Sequence, residues 1–419
     1  TGIAQNNEGQ DKTVDLGTQT TTELRKTQAV STIYSDELDK NATTSPYNAI
    51  YGLLPGLTVM QNTSWGTDKS RLNVRGRGSL NGDTPLFVVD GFARPIEYIN
   101  LSEIESISVL KDGAATALWG GRGANGVVLI TTKRGMYSKK EIKVDYKFGL
   151  GLPVNQPEFA DAYTYAKARN EALRYDGLQP DMDEASFLAG GNRDLYPNVD
   201  WQKEALRNHT TSHQLDITFR GGGKRLRYFS VLNYKNDMGL LNSKYTDYTD
   251  RYNSQMKKYF LNLRMNLDVD ITDATKLKLN MLGMLRETKR PTTSEATLFE
   301  QIFNTPSAAF PVQTQNGLWG SNNVLKTNPI ANLADVGYYK LNQRMLQADL
   351  RLIQDLSVLT RGLSAELAIA YDNNATYQET AKKSFMYQTI EKGTDGEPVY
   401  TNYGNPNDEL EISNKGLAN

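Results

Sequence analysis

The strongest constraint on the fold of this chain is a run of strict alternation between apolar and polar residues. In Leu261–Asp270, LNLRMNLDVD, apolar side chains occupy every second position and Asn, Arg, Asn, Asp and Asp stand between them. Successive side chains of a β-strand point to opposite faces, whereas a helix repeats about every 3.6 residues. The segment therefore predicts a strand with one apolar and one polar face.

The same alternation recurs in Glu141–Leu150, Leu215–Arg220, Lys276–Leu285, Leu346–Leu352 and Leu363–Tyr371. Short polar turns join two pairs of these strands: RGGGKR precedes Leu226, and DITDATK precedes Leu277. The other connections are long, polar and rich in Tyr, Asn and Gly, and they comprise residues 236–256, 288–340 and 373–419. Short turns at one end and long loops at the other predict an antiparallel β-barrel of the outer membrane, with the short turns facing the periplasm.

A soluble β-sandwich is the alternative, because its strands alternate as well. Sandwich strands are usually about 5 or 6 residues long, whereas a strand that crosses a bilayer needs about 9 to 11. The strands predicted here reach ten residues or more, and charges along their polar faces fit a wet lumen. We count seven or eight barrel strands in residues 137–419, and the chain ends in what reads as an extracellular loop.

Composition argues against several other classes of protein. A formal net charge of -1 lacks the basic excess of nucleic-acid binding proteins. No apolar run approaches the roughly 18 residues of a transmembrane helix. With no cysteine, the chain has no disulfide and no thiolate metal site. His209 and His213, the only histidines, read as surface or lumen residues, and we expect no metal and no cofactor.

The residues before the barrel divide into two parts. Residues 1–19 are polar and without periodicity, which predicts a mobile segment. Residues 20–136 predict an α+β domain with one small mixed sheet and short helices, one of them starting at Pro46 after the candidate cap Ser45. Its strands are predicted at 57–60, 71–75, 86–90, 104–110 and 127–132, and two further helices at 158–174 and 199–207 interrupt the barrel region.

A glycine-rich stretch, GRGANG at residues 121–126, matches the dinucleotide-binding pattern G-x-G-x-x-G. That motif has to follow a strand and open a helix. Here the order is reversed, because Asp112 can cap a short helix and residues 127–132 predict a strand after the glycines. We therefore interpret Gly120, Gly121, Gly123 and Gly126 as a turn between a helix and a strand.

Six segments together resemble the SusC/RagA-like branch of TonB-dependent outer-membrane transporters from Bacteroidetes. They are LPGLTVMQN (54–62), LNVRGRGS (72–79), PLFVVDG (85–91), IESISVLKDGAATALWGGRGANGVVLITTKRG (104–135), GLLNSKYTDYTDRY (239–252) and LNLRMNLD (261–268). The resemblance implies that residues 20–136 are a plug inside a barrel of about 22 strands, of which residues 137–419 are the N-terminal part. The N-terminal β-sandwich common in this branch finds no place before residue 20.

The resemblance also implies a function and partners. It implies import of a large nutrient, an oligosaccharide or an oligopeptide, powered through TonB with ExbB and ExbD. A SusD-like surface lipoprotein would be a further partner, and the barrel would contact the lipid bilayer. TonB would pair with a strand at the plug's N-terminus. The positions for that contact, which match the expected apolar TonB-box pattern only loosely, are Asp11, Lys12, Thr13, Val14, Asp15, Leu16 and Gly17.

Candidate ligand contacts follow from the apical plug loops of related transporters, which correspond to 77–83 and 92–94. They are Trp65, Arg77, Asn81, Asp83, Phe92 and Arg94. Trp319, Tyr338 and Tyr339 lie in a predicted long loop, where they would face ligand, partner or lipid interface. Charged plug groups expected to contact the lumen wall are Arg75, Arg77, Asp90, Glu103, Glu105, Lys111, Asp112 and Arg122.

Three alternatives to the nutrient transporter stay open at this point. A signalling receptor of the outer membrane would share the plug and barrel, and so would a siderophore- or vitamin-type TonB-dependent receptor. An enzyme would need a cleft around paired carboxylates such as Glu103 and Glu105, and a plug explains that region better.

Overall fold

The computed structural model describes residues 13–15, 20–22, 27–38, 40, 43, 45–61, 70–78, 82–137, 140–154, 156–406 and 408–418. The strands are β1 (Thr13–Asp15), β2 (Thr20–Thr22), β3 (Val30–Tyr34), β4 (Leu57–Met60), β5 (Arg71–Val74), β6 (Leu86–Val89), β7 (Phe92–Ala93), β8 (Ile104–Leu110), β9 (Val127–Thr132), β10 (Lys140–Gly151), β11 (Thr210–Gly222), β12 (Leu226–Met238), β13 (Lys257–Asp270), β14 (Thr275–Pro291), β15 (Trp319–Ser321), β16 (Gly337–Asp355), β17 (Ser364–Lys382), β18 (Tyr387–Lys392), β19 (Pro398–Tyr403) and β20 (Glu411–Ala418). The helices are α1 (Ser35–Leu38), α2 (Pro46–Ala49), α3 (Gly113–Thr116), α4 (Ala162–Tyr175), α5 (Glu184–Ala189), α6 (Trp201–Ala205), α7 (Ser243–Thr246), α8 (Glu295–Asn304) and α9 (Pro329–Ala334). The candidate residues Asp11, Lys12, Leu16, Gly17, Trp65 and Asn81 lie outside the described residues.

The plug is built on a mixed sheet with the order β3-β8-β9-β6-β7, in which β6 and β9 are parallel. Strands β4 and β5 pair with each other as a separate hairpin, so the prediction that they belong to the same sheet is wrong. Leu72 of this hairpin packs into one buried cluster with Ile33, Ile104 and Ile107 of the sheet. The hairpin thus covers apolar side chains that the sheet would otherwise expose to water.

The turn before β9 has the order that the glycines predict. The Asp112 carboxylate accepts a hydrogen bond from the Ala115 backbone N–H at 2.8 Å and caps α3. A 3₁₀ turn follows over Ala117–Gly123, and Gly120 has a φ of 53°. Gly126, with a φ of 88°, immediately precedes β9, and a Cβ atom there would lie 2.8 Å from Val74. Glycine is required at this position for both conformation and space.

Strands of the second region form one antiparallel sheet with the order β10-β11-β12-β13-β14-β16-β17-β20 among the described residues. Its eight members agree with the count expected from the sequence. The strands extend further toward the long loops than predicted, to residue 291 in β14 and residue 382 in β17. Residues 411–418 form β20 beside β17, so the prediction of a loop there is wrong. Beyond the bilayer both faces of a strand meet water, and the ladder continues without the alternation that marks it in sequence.

The two faces of this sheet differ as the alternation predicts. Outward leucines such as Leu263 and Leu285 are about half exposed, at 52% and 50%, whereas the inward Asn262 and Arg264 are buried. The inward polar groups therefore face the plug rather than open water. His213 lies on the outward face, where it contacts Tyr146 and Phe148 of β10.

The long loops carry a packed core of their own. Trp201 of α6, Leu241, Phe310 and Trp319 belong to one buried cluster together with side chains of α8 and α9. Trp319 is a core residue, 3% exposed, whose indole N–H donates to Asp335 at 3.1 Å, so it does not face ligand, partner or lipid. None of the described helices is long and apolar enough to cross a membrane.

Tyr338 and Tyr339 belong to β16 rather than to a loop. The Tyr338 hydroxyl donates to Glu379 at 2.8 Å, and the Arg290 guanidinium lies 4.1 Å from the centre of the Tyr339 ring. Both tyrosines therefore contact neighbouring strands where the barrel meets its loops. Helices α4 and α6, in the connection between β10 and β11, agree with the two helical insertions predicted in the barrel region.

Replacing Gly126 by valine tests the turn before β9. We expect the plug to lose at least about 2 kcal/mol of stability, because the variant combines a positive φ with a clash against Val74. Limited proteolysis of the purified full-length protein, followed over a urea series, measures the loss. Gly121→Ala is the matched control, since nothing lies within 4 Å of a Cβ there. Equal protease resistance of the two variants would contradict the assignment.

Candidate functional site

The plug is attached to the barrel by polar contacts that we call the seam. It consists of hydrogen bonds and ion pairs between plug residues 90–137 and the inward side chains of β11–β17. Most of these contacts converge on three places in the plug: Arg94, the segment from Asn100 to Glu103, and the segment from Thr132 to Arg134.

Glu103 is the most deeply buried charge of the seam, with 0% exposure. It closes a short 3₁₀ helix, Leu101–Glu103, through a capping box with Asn100. Its carboxylate accepts hydrogen bonds from Arg264 Nε at 2.5 Å and from Asn262 Nδ2 at 2.7 Å. Burial raises the pKa of the Glu103 carboxyl, and the Arg264 guanidinium opposes that shift. The side chain that ends the plug helix is therefore also the one that binds β13.

Arg94 ties two neighbouring barrel strands to the plug. Its Nη1 donates to Asp349 of β16 at 2.6 Å, and its Nη2 donates to Asp372 of β17 at 2.7 Å. Asn280 of β14 donates a further hydrogen bond to Asp349 at 2.6 Å. The pair with Asp349 is shielded from solvent and therefore stronger than a surface ion pair, whereas Asp372 is 43% exposed on its side chain.

Barrel side chains bind the end of the last plug strand and the residues that follow it. Asn266 of β13 donates to the Thr132 hydroxyl and to the Lys133 carbonyl, both at 2.8 Å. Arg134 pairs with Asp268 at 3.0 Å, and Arg220 donates to the Arg134 carbonyl at 2.6 Å. The chain between plug and barrel is therefore fixed to the inner wall.

Among the charged plug groups predicted to contact the wall, Glu103 and Glu105 do so through their carboxylates; Glu105 lies 3.8 Å from Arg220. Asp90 contributes only its backbone carbonyl, which accepts from Arg351 at 2.6 Å. Lys111 and Asp112 instead bond within the plug. The wall contacts of Asn100 and Arg134 were not predicted from the sequence. The spacing of Asn100 and Glu103 is the one signal that could have shown their pairing, since it matches a capping box.

Arg77 and Asp83 lie together in the plug. The Asp83 carboxylate accepts hydrogen bonds from Arg71 Nη2 at 2.9 Å and from Arg77 Nε at 3.1 Å. The hydrogen bond from Arg71 holds the pKa of Asp83 below its usual value. Asp83 is 5% exposed, whereas the Arg77 side chain is 65% exposed. Of this pair, Arg77 is the one that solvent or a ligand can reach.

Phe92 and Arg94 lie deeper in the barrel than an apical loop would. Asp349, the partner of Arg94, stands six residues before Asp355, where β16 meets its short turn. Arg351, still closer to that turn, has its guanidinium 5.4 Å from the centre of the Phe92 ring. Residues 92–94 thus lie nearer the short turns of the barrel than the sequence predicts. The reason is that the plug turn at Asp90 and Gly91 points toward that side of the barrel.

The plug segment nearer the long loops is Glu97–Tyr98. Arg286, eleven residues along β14 from Thr275, donates to the Glu97 carbonyl at 2.7 Å. Its guanidinium also lies 5.4 Å from the Tyr98 ring and 5.5 Å from the Phe260 ring. Burial raises the pKa of Tyr98 to about 12. Charged and amide side chains, among them Glu97, line a small cleft here.

The described part of the candidate TonB segment, Thr13–Asp15, is docked rather than mobile. It forms β1 and pairs with β2 in the register Val14↔Thr21. The Val14 side chain is fully buried in a cluster with Val30, Leu110 and Val127. Apolar burial at this one position explains why a polar segment is ordered.

Comparison with known proteins agrees with this architecture. Residues 22–127 match the family model described as TonB-dependent Receptor Plug Domain. The chain is 28% identical over 271 residues to TonB-dependent receptor P26 of Formosa agariphila, which covers 63% of this chain and 25% of that protein. It is 31% identical over 231 residues to TonB-dependent receptor SusC of Bacteroides thetaiotaomicron, which covers 51% of this chain and 21% of SusC. The matched region thus spans about a quarter of the length of these relatives.

Among solved structures, the RagAB peptide importer in its closed-closed state is similar in fold. The TM-score is 0.68 at 19% identity, covering 85% of this chain and 42% of that one. The plug match, the SusC similarity and the barrel strands agree with one another. Residues 22–127 form a TonB-dependent receptor plug domain, and its match, the similarity to SusC and the antiparallel barrel strands that follow support a SusC/RagA-like TonB-dependent receptor of the outer membrane.

Proposed function

We propose that this protein imports an oligomeric nutrient, an oligosaccharide or an oligopeptide, across the outer membrane. TonB, energised by ExbB and ExbD, drives the import, and a SusD-like lipoprotein presents the nutrient at the cell surface. The similarity to SusC supports the general activity, and the RagAB structure is titled a peptide importer. The observation that carries the proposal is the seam, in which buried polar bonds attach plug to wall at many points and apolar packing attaches them through Tyr98.

A polar seam suits a plug that has to move. A hydrogen bond lost between plug and wall can be replaced by one to water, so its net cost is about 0.5–1.5 kcal/mol. Separating an apolar interface of the same size would expose hydrocarbon with no such replacement. The two larger apolar clusters that contain plug residues lie within the plug, and only a small cluster around Tyr98 joins it to the wall among the described residues. We infer that a pulling force opens the seam before it disrupts the plug core.

The docked N-terminal segment supports a role for TonB in that force. Recognition by strand addition needs an extended segment with free backbone groups. In this structure β1 already pairs with β2, and Val14 anchors it to the plug. TonB therefore has to capture the segment after it undocks. We assign the protein no catalytic role, because transport requires only binding and plug movement.

Deleting residues 11–17 tests the coupling to TonB. We expect uptake to fall to the level of a strain without TonB, while ligand binding persists, because the deletion leaves the seam intact. The probes are a fluorescently labelled tryptic peptide mixture and labelled malto-oligosaccharides, given to cells that express the full-length protein. Deletion of residues 1–7 is the control of equal length. Normal uptake after the 11–17 deletion would refute the proposed coupling.

Arg94→Met tests whether the seam holds the plug. We expect a loss of about 3–5 kcal/mol, because the substitution leaves Asp349 buried without its cation. Asp349→Asn should recover part of that loss in the double variant, since it removes the unpaired charge. A double-mutant cycle compares the free energies of plug release, which are measured by proteolysis of the purified proteins over a urea series. If the two losses simply add, Arg94 and Asp349 do not act as a pair.

A further inference from the structure

A row of like charges crosses the outward face of the barrel. Lys257 of β13 lies directly opposite Lys289 of β14, which lies directly opposite Lys340 of β16. Neighbouring strands are about 4.8 Å apart, so the three ammonium groups share one rung of the sheet. Like charges placed directly opposite each other destabilise a sheet. This basic row therefore needs a compensating anion.

The basic row lies just beyond the apolar band of the barrel. The inward residues of β13 have even numbers, among them Asn262 and Arg264, so Lys257 points outward with Tyr259 and Leu261. Leu261 pairs with Leu285, and both are exposed, as expected of lipid-facing side chains. Tyr259 follows on the next rung and Lys257 on the one after it. Aromatic side chains mark the edge of the hydrocarbon region, so the lysines stand at the level of lipid head groups on the long-loop side.

The protein supplies only part of the compensating negative charge. Glu287 lies between two lysines, with 3.2 Å to Lys289 and 3.3 Å to Lys340. Glu379 stands opposite Lys340 and accepts a hydrogen bond from Tyr338.

Lys257 has no ion pair within the part of the chain that the structure describes. The basic row thus combines three cations, Lys257, Lys289 and Lys340, with two carboxylates, Glu287 and Glu379, which leaves an excess of one positive charge. Arg344 is exposed on the rung of Leu285, two rungs nearer the middle of the bilayer, and adds a second cation, uncompensated among the described residues, below the row.

We propose that the basic row binds the phosphate of an anionic lipid head group in the outer leaflet. The acyl chains of such a lipid would lie against Leu261 and Leu285, and its phosphate would reach the row two rungs above. Phosphate oxygens accept hydrogen bonds from several ammonium groups at once, which relieves the repulsion within the row. Continuity with the lipid-facing leucines favours a lipid over a protein partner. This lipid site is separate from import, and its test does not depend on the nutrient.

The test compares lipid retention by the full-length protein and two triple variants. Lys257→Gln, Lys289→Gln and Lys340→Gln are combined in one, and Lys167→Gln, Lys224→Gln and Lys326→Gln in the control. The control lysines are exposed and lie away from the outward barrel face. Each protein is purified with mixed phosphatidylglycerol and phosphatidylcholine, and bound lipids are counted by native mass spectrometry.

We expect the first variant to retain at least tenfold less phosphatidylglycerol than wild type, because each lysine near an anionic surface contributes about a fivefold factor. Phosphatidylcholine retention and the control variant should match wild type. Glu287→Gln should raise phosphatidylglycerol retention, since it removes a competing carboxylate. Equal phosphatidylglycerol retention by both triple variants, or a parallel loss of both lipids, would overturn the proposal. Displacement of the lipid by millimolar inorganic phosphate would also overturn it, because the site would then recognise the free ion.

Discussion

The buried ion pair between Glu103 and Arg264 is the contact on which the arrangement of plug and barrel depends. Its carboxylate has no exposure to solvent, and such a charge is tolerated only where hydrogen bonds and an opposite charge surround it. Glu103 receives them from Arg264, from Asn262 and from the Asn100 backbone. A plug displaced along or around the barrel axis would keep the bond from Asn100, which belongs to the plug, and would lose those from Arg264 and Asn262 at once. The pair therefore fixes the depth and rotation of the plug, and the contacts of Arg94 and Arg134 follow from it.

The strand alternation allowed most of the barrel to be predicted from sequence. Period-two patterning located six strands of the sheet, and β4, β8 and β9 have the bounds expected for them. The alternation did not predict the parts of the strands whose two faces have the same surroundings. Above the bilayer both faces of β14, β16 and β17 are wet, so the pattern stops while the hydrogen-bonded ladder goes on. The packed loop core was missed for a related reason, because Trp319, Leu241 and Ile330 come from different loops and no local period links them.

The candidate site was less predictable, because it depends on which residues meet across long separations. Arg94 and Asp349 are 255 residues apart in sequence, and only the folded chain brings their side chains to 2.6 Å. Residue type alone did not show that Asp83 is an internal partner of Arg71 and Arg77. The depth of Phe92 depends on the direction of the Asp-Gly turn at residues 90–91. Local signals thus located the elements, whereas the seam required the tertiary structure.

The asparagines of the inner wall bear on the net strength of the seam. Asn233, Asn262, Asn266 and Asn280 are all buried, and each donates through its amide nitrogen to a carboxylate, hydroxyl or carbonyl oxygen. Their amide oxygens accept no hydrogen bond from the described residues. Each hydrogen bond that these amides donate contributes about 0.5–1.5 kcal/mol net, because it replaces bonds to water. The seam is accordingly specific in geometry and modest in net strength, which is the combination that a removable plug requires.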